Sequence, residues 1–342
     1  MAVNYKKALI IILLLSAGAG VLVYFNLKIP VGAGGKSQAS PSLSAEKYEA
    51  VKKDFLKLED EKDPRVTLTE LQKRIKNDNV LLRSCHALTH EIGRRAYTKY
   101  RDFGEAMKYQ DEICNSGYLH GVIEAYFSKS RDVFKAVATV CAPYPSGKFL
   151  SWECYHGVGH GLMYYTSNDL PASLKMCDSY EDYSNRSSCA NGVFMENFNT
   201  DQKLHPSKFL RQDDLFYPCN DEATQYKADC YLYAPVYYLS LNKNDYAGAL
   251  KWCEGAGSPY ISICVQGVGG QAIKENFNNP KFVERICMSG SLKNSGLCIE
   301  GMVGLYINHY GSLEPAKALC GQLELPNRPA CYFSVQARAD LF

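Results

Sequence analysis

Residues 246–264 read Tyr-Ala-Gly-Ala-Leu-Lys-Trp-Cys-Glu-Gly-Ala-Gly-Ser-Pro-Tyr-Ile-Ser-Ile-Cys. The segment up to Cys253 has helical character. Gly255 to Pro259 forms a loop, because glycine and proline punctuate helices. A second, apolar helix begins around Cys264. The two cysteines are 11 apart, and the interval recurs outward along the chain. Cys219–Cys230, Cys287–Cys298 and Cys320–Cys331 are also 11 apart, Cys177–Cys189 are 12 apart and Cys141–Cys154 are 13 apart. The leading cysteines step by 36, 42, 34, 34 and 33 residues. A period near 34 is that of a two-helix repeat, helix A then helix B. The 42-residue step holds an insertion around Thr200 to Asp213.

In an αα-hairpin the end of helix A lies beside the start of helix B. Each of these six pairs is therefore expected to be a disulfide that staples its own hairpin. Cys85 starts one helix B and Cys114 ends the next helix A. Both fall at the same end of an up-down stack, so a bond between adjacent repeats is expected there. The even count of 14 cysteines leaves none over.

That many cysteines implies an oxidising compartment. Lys6 and Lys7 precede an uncharged, mostly apolar run from Ala8 to Leu27, long enough to span a bilayer. The lysines favour an inside N-terminus. Ala17-Gly18-Ala19 resembles a cleavage site, but the apolar run continues to Phe25, which favours an uncleaved anchor. The expected organisation is a signal anchor over 1–29, a Gly/Ser/Ala-rich linker over 30–45, and a helical-repeat solenoid over 46–342. The protein is then tethered to a membrane by its N-terminal helix, facing the periplasm or the cell exterior. Ser44 to Asp63 carries apolar residues at three- and four-residue spacing and reads as an amphipathic helix stopped by Pro64. With 38 basic and 36 acidic residues and no long run of either, the chain shows no nucleic-acid footprint.

The layout resembles the Sel1-like and tetratricopeptide class of helical-hairpin solenoids over roughly residues 66 to 342. The resemblance rests on helix A segments such as Asp245-Tyr-Ala-Gly-Ala-Leu-Lys-Trp and Gly104-Glu-Ala-Met-Lys-Tyr. It is especially similar to the secreted cysteine-rich Sel1-like proteins, whose repeats are also disulfide-stapled. The likeness is architectural: the cysteine spacing here is longer, and the usual glycine and alanine signature is missing. It implies an all-α, disulfide-stapled solenoid with a concave face that can take a protein partner. Tyr231, Tyr233, Tyr237 and Tyr238 in one helix B either furnish such a surface or pack the repeats.

A second pattern is chemical. Residues 152–163 read Trp-Glu-Cys-Tyr-His-Gly-Val-Gly-His-Gly-Leu-Met, placing His156 and His160 four apart and on one helix face. His120 and Glu124 have the same spacing, as do His86 and His90. In the repeat register these six residues fall in two columns, which in the repeats from Cys141 onward lie two and six positions after the second cysteine. Later repeats carry Asn191 with Met195, Leu232 with Val236, and Gln266 with Gly270 at the same places. Ligand-competent pairs are thus confined to three consecutive repeats within residues 80–165. Equivalent positions of neighbouring helices stack side by side, so the imidazoles can meet at one or two ions. The donor set suits iron, zinc or copper better than calcium or magnesium. Glu124, in the central helix, is where a carboxylate bridge between two ions would have to sit.

The expected function is a metalloprotein, an oxidoreductase or hydrolase, with no catalytic residue assigned. An interaction scaffold and a metal storage or delivery protein are the alternatives. Deoxyhypusine hydroxylase is similar in plan, holding a di-iron centre between solenoid repeats. Its His-Glu dipeptide occurs here only as His90-Glu91, so its substrate and reaction are not implied.

The small residue after the first column, as in Gly121, Gly157, Gly192, Gly267 and Gly301, is expected to serve helix packing. Gly159 and Gly161 flank His160 alone and are expected either to open space for a ligand or to mark a helix that starts late. Gly267-Val-Gly-Gly-Gln-Ala272 matches a dinucleotide fingerprint by letter but follows no strand.

Overall fold

The computed structural model describes residues 43–199, 207–221 and 223–342. The anchor segment, nearly all of the linker and half of the insertion lie outside them. The described residues fall within one compact unit, Ser40–Phe342. Among them there is no strand, and no helix is long and apolar enough to cross a membrane.

Sixteen α-helices follow one another among the described residues: α1 (Ala45–Glu61), α2 (Pro64–Ile75), α3 (Asn79–Tyr100), α4 (Phe103–Met107), α5 (Ile113–Lys129), α6 (Val133–Val140), α7 (Phe149–Tyr165) and α8 (Leu170–Cys177), then α9 (Tyr183–Asn199), α10 (Lys227–Leu241), α11 (Tyr246–Trp252), α12 (Ile261–Lys274), α13 (Pro280–Cys287), α14 (Leu292–Tyr310), α15 (Glu314–Gln322) and α16 (Arg328–Gln336). Long B helices alternate with short A helices. Several A helices start where an aspartate accepts the backbone N–H three residues on: Asp102 from Glu105 at 2.8 Å, Asp132 from Lys135 at 3.0 Å, Asp245 from Gly248 at 3.0 Å. Each such cap is worth about 1 kcal/mol and fixes the phase of its repeat. Among its described residues the unit that ends in α10 has no helix A; Cys219 stands instead in a run of turns.

Seven disulfides join Cys85–Cys114, Cys141–Cys154, Cys177–Cys189, Cys219–Cys230, Cys253–Cys264, Cys287–Cys298 and Cys320–Cys331. Six staple the entrance to a B helix; the first links adjacent repeats. This density of bonds fits an oxidising compartment.

The B helices pack in sequence as an inner layer, α3 on α5, α5 on α7, α7 on α9 and α12 on α14. Glycines let these backbones touch. A methyl group at Gly121 would overlap the carbonyl of His90, and one at Gly93 would overlap the carbonyl of Tyr118, so α3 and α5 meet through a reciprocal pair. Gly159 with Gly192 and Gly269 with Gly301 repeat the device at α7/α9 and α12/α14. Gly159 therefore serves packing against α9, and Gly161 makes room for the ring of Phe127. Neither opens space for a ligand, and α7 begins well before them. We expect Gly121→Ala to lower stability by at least about 2 kcal/mol, since only backbone can give way. Gly321→Ala, with nothing nearby, should be neutral or slightly stabilising. Thermal unfolding of the two variants checks the contrast.

The α10 tyrosines pack the repeats. Tyr231 stacks on Tyr260 at 4.7 Å, Tyr238 on Trp252 at 4.9 Å, and the Tyr233 hydroxyl donates to Asn191 at 2.9 Å. The array also curls back on itself. α14 packs against α5, Phe149 stacks on Phe342 at 4.7 Å, and Lys148 donates to the carbonyl of Asp340 at 3.1 Å. The inner face is thereby reduced to a cleft and a cavity on either side of the histidines.

Candidate metal centre

The close approach of α3, α5 and α7 brings all five column histidines into one cluster. Ring centroids lie 4.5 Å apart for His86 and His90, 4.9 Å for His120 and His160, and 5.4 Å for His90 and His160. His156 is 4.8 Å from His160 and stacks on Trp152. His120, at the centre, is fully buried, and neither of its nitrogens makes a hydrogen bond. An orphaned buried imidazole costs roughly 1–3 kcal/mol. Its Nε2 lies 3.3 Å from an oxygen of Glu153, a contact too poorly aligned to satisfy either group.

The outer nitrogens are spoken for. His86 donates from Nδ1 to the carbonyl of Cys114 at 2.7 Å. His90 donates from Nδ1 to Glu124 at 2.7 Å, and His160 from Nδ1 to Glu196 at 2.5 Å. The Cys114 carbonyl is placed by an unusual turn: Cys114, Asn115 and Ser116 are all left-handed, with φ of 57°, 57° and 50°. Each such residue costs about 1–2 kcal/mol, and the Cys85–Cys114 bond holds the turn in place.

The inner nitrogens then face each other. Nε2 of His86 is 3.1 Å from Nε2 of His90, and Nε2 of His160 is 3.0 Å from Nε2 of His156. In the first pair both Nδ1 atoms must carry the hydrogen, because a carbonyl and a carboxylate only accept. With both rings neutral, two lone pairs point at one another, an arrangement that calls for a cation, a proton or a metal ion, between them. His156 differs, since its Nδ1 completes no hydrogen bond although Asn191 stands beside it.

Charge follows the same plan. Burial pushes the proton affinity of His86, His120 and His156 well down, and the neighbouring imidazoles push it further. Burial alone would raise the Glu124 carboxyl, but His90 and Arg94 hold it at about 2. Glu196 is likewise held low by His160 against its own burial. Burial drives Glu153 up to about 8.

Two overlapping groups have donor atoms close enough to share an ion: His86, His120 and His160, and His90, Glu124 and His160. Both oxygens of Glu124 are engaged, one by His90 and the other by Arg94. Sequence reasoning missed Arg94, Glu196 and Glu153. Arg94 continues the four-residue step of His86 and His90 along α3, which is a readable signal. Glu196 falls one residue outside the column, at the place after Met195.

The cluster is reachable. A cleft of about 850 Å³ is lined by His86, His90, Glu124, His160, Glu196 and Lys274, among others. A second, much smaller cavity of about 50 Å³ is lined by His86 and His156. Comparison with protein-family models, with curated proteins and with solved structures finds no match.

Proposed function

We propose that this chain is a transition-metal protein of an oxidising compartment, with the imidazoles of His86, His90, His120, His156 and His160 as donors. The observation that carries this is the His86–His90 pair, whose lone pairs face each other at 3.1 Å with both Nδ1 atoms tied outward. Donors 2.0–2.1 Å from one ion stand about 3.0–3.4 Å apart, which is the spacing found. The orphaned His120 would share an ion with His86 and His160, the group its donor atom joins. Iron, zinc or copper suits the set, as one ion or two. We assign Glu124 and Glu196 to orienting His90 and His160, the role carboxylates commonly play behind metal-bound histidines. The wide cleft favours chemistry on a small molecule, an oxidoreductase or hydrolase, over storage. The scaffold reading has less support, since α14 packs against α5 and narrows the groove in which a peptide would lie. The N-terminal apolar run would tether this domain to a membrane.

The test is elemental analysis of protein purified without an affinity tag, before and after reconstitution with iron, zinc and copper in turn. About one equivalent or more is expected. Less than about a tenth of an equivalent of each metal would sink the proposal. Glu124→Gln should weaken binding roughly 10–100-fold without changing the number of ions. Loss of one ion of two would instead make Glu124 a bridge.

A further inference from the structure

Lys274, the last residue of α12, lines both the cleft and the inner cavity, across from the histidines. It donates no hydrogen bond and makes no ion pair among the described residues. Burial lowers its proton affinity, while Glu275 and Glu196 act in the opposite direction. Those carboxylates are already engaged. Glu275 lies 3.9 Å from Arg83, and Glu196 accepts from His160. Two other cations line the cleft: Arg94 is committed to Glu91 and Glu124, and Arg83 lies beside Glu275. A half-buried ammonium with no protein acceptor is costly, and an arriving anion removes that cost. Any bound metal ion adds positive charge to the same space.

We infer that Lys274 anchors the oxyanion group, carboxylate or phosphate, of a small substrate that enters the cleft and extends toward the histidine cluster. Tyr164, Ser167 and Asn168 at the rim offer further hydrogen-bonding groups. This deepens the metal reading by naming the substrate class. The reacting end of the substrate depends on that reading, but the contact with Lys274 does not.

The test is calorimetric titration of inorganic phosphate and of acetate into the wild-type chain, Lys274→Gln and Lys274→Arg, with metal content and thermal stability measured in parallel. The wild type should bind at least one of the two anions. Lys274→Gln should bind it about tenfold more weakly or worse, as for loss of a charged hydrogen bond. Lys274→Arg should retain most of the affinity, and metal content should match in all three. Equal affinity in the wild type and Lys274→Gln, or binding of neither anion by the wild type, overturns the inference. So does loss of metal from Lys274→Gln, which would place the lysine in the framework of the cluster. If the chain retains no metal at all, the proposed function fails while phosphate and acetate binding to the metal-free protein still decides the role of Lys274.

Discussion

Replacing His160 by alanine should strip the bound metal. His160 belongs to both groups of donors that can share an ion, so no site survives its loss intact. Its ring packs against four other imidazoles, and its Nδ1 holds Glu196. Losing an outer carboxylate partner typically costs 10–100-fold in affinity, and losing the ligand itself should exceed about 100-fold. Metal content should fall below about a tenth of an equivalent after dialysis. The control is His309→Ala. His309 is also buried and lines the same inner cavity as His86 and His156, but its ring contacts are with Phe277 at 3.9 Å and Tyr310 at 4.8 Å rather than with the cluster. That variant should lose some packing energy and keep its metal. Retention of full metal by His160→Ala would leave the facing nitrogens without their proposed cation.

Reduction should unfold the chain outright. A bond that closes 11 to 13 residues limits the unfolded state by roughly 3 kcal/mol, and the 29-residue Cys85–Cys114 loop by somewhat more. Together the seven are worth roughly 20 kcal/mol, above the net stability of ordinary domains at about 5–15 kcal/mol. Circular dichroism in a strong reductant should show loss of helix without added denaturant. Single removals should separate two roles. Cys253→Ser with Cys264→Ser should cost about 3 kcal/mol and leave metal binding alone. Cys85→Ser with Cys114→Ser should also weaken the metal, because the freed left-handed turn no longer holds the Cys114 carbonyl on His86. A fully helical reduced protein would show that packing alone suffices.

The repeat architecture and the histidine register are legible because both are written locally. A cysteine at each end of a short loop has few places to go in a hairpin. His86, His90, His120, Glu124, His156 and His160 sit on one face of three successive B helices at fixed steps, so the sequence places them in two adjacent columns. The structure adds what the columns do not encode. Glu196 reaches His160 from a neighbouring helix at a position out of register, because facing helices interdigitate. Gly159 looks special beside His160, yet it answers to the backbone of α9 on the far side. The return of α14 to α5 is invisible in any one repeat, since superhelical curvature accumulates from small rotations between neighbours.

That return changes how the molecule comes apart. An open stack of repeats frays from its ends, and each unit melts with only its neighbours to consult. Here α5 touches α7 along the chain and α14 across it. The segment from α5 to α14 is consequently a closed loop of contacts, and opening any unit within it breaks the contact across as well. Partial melting loses its advantage, and unfolding should approach a single concerted event. Two of the three helices that carry the histidines belong to that loop, so the metal site is guarded by the stability of the whole ring.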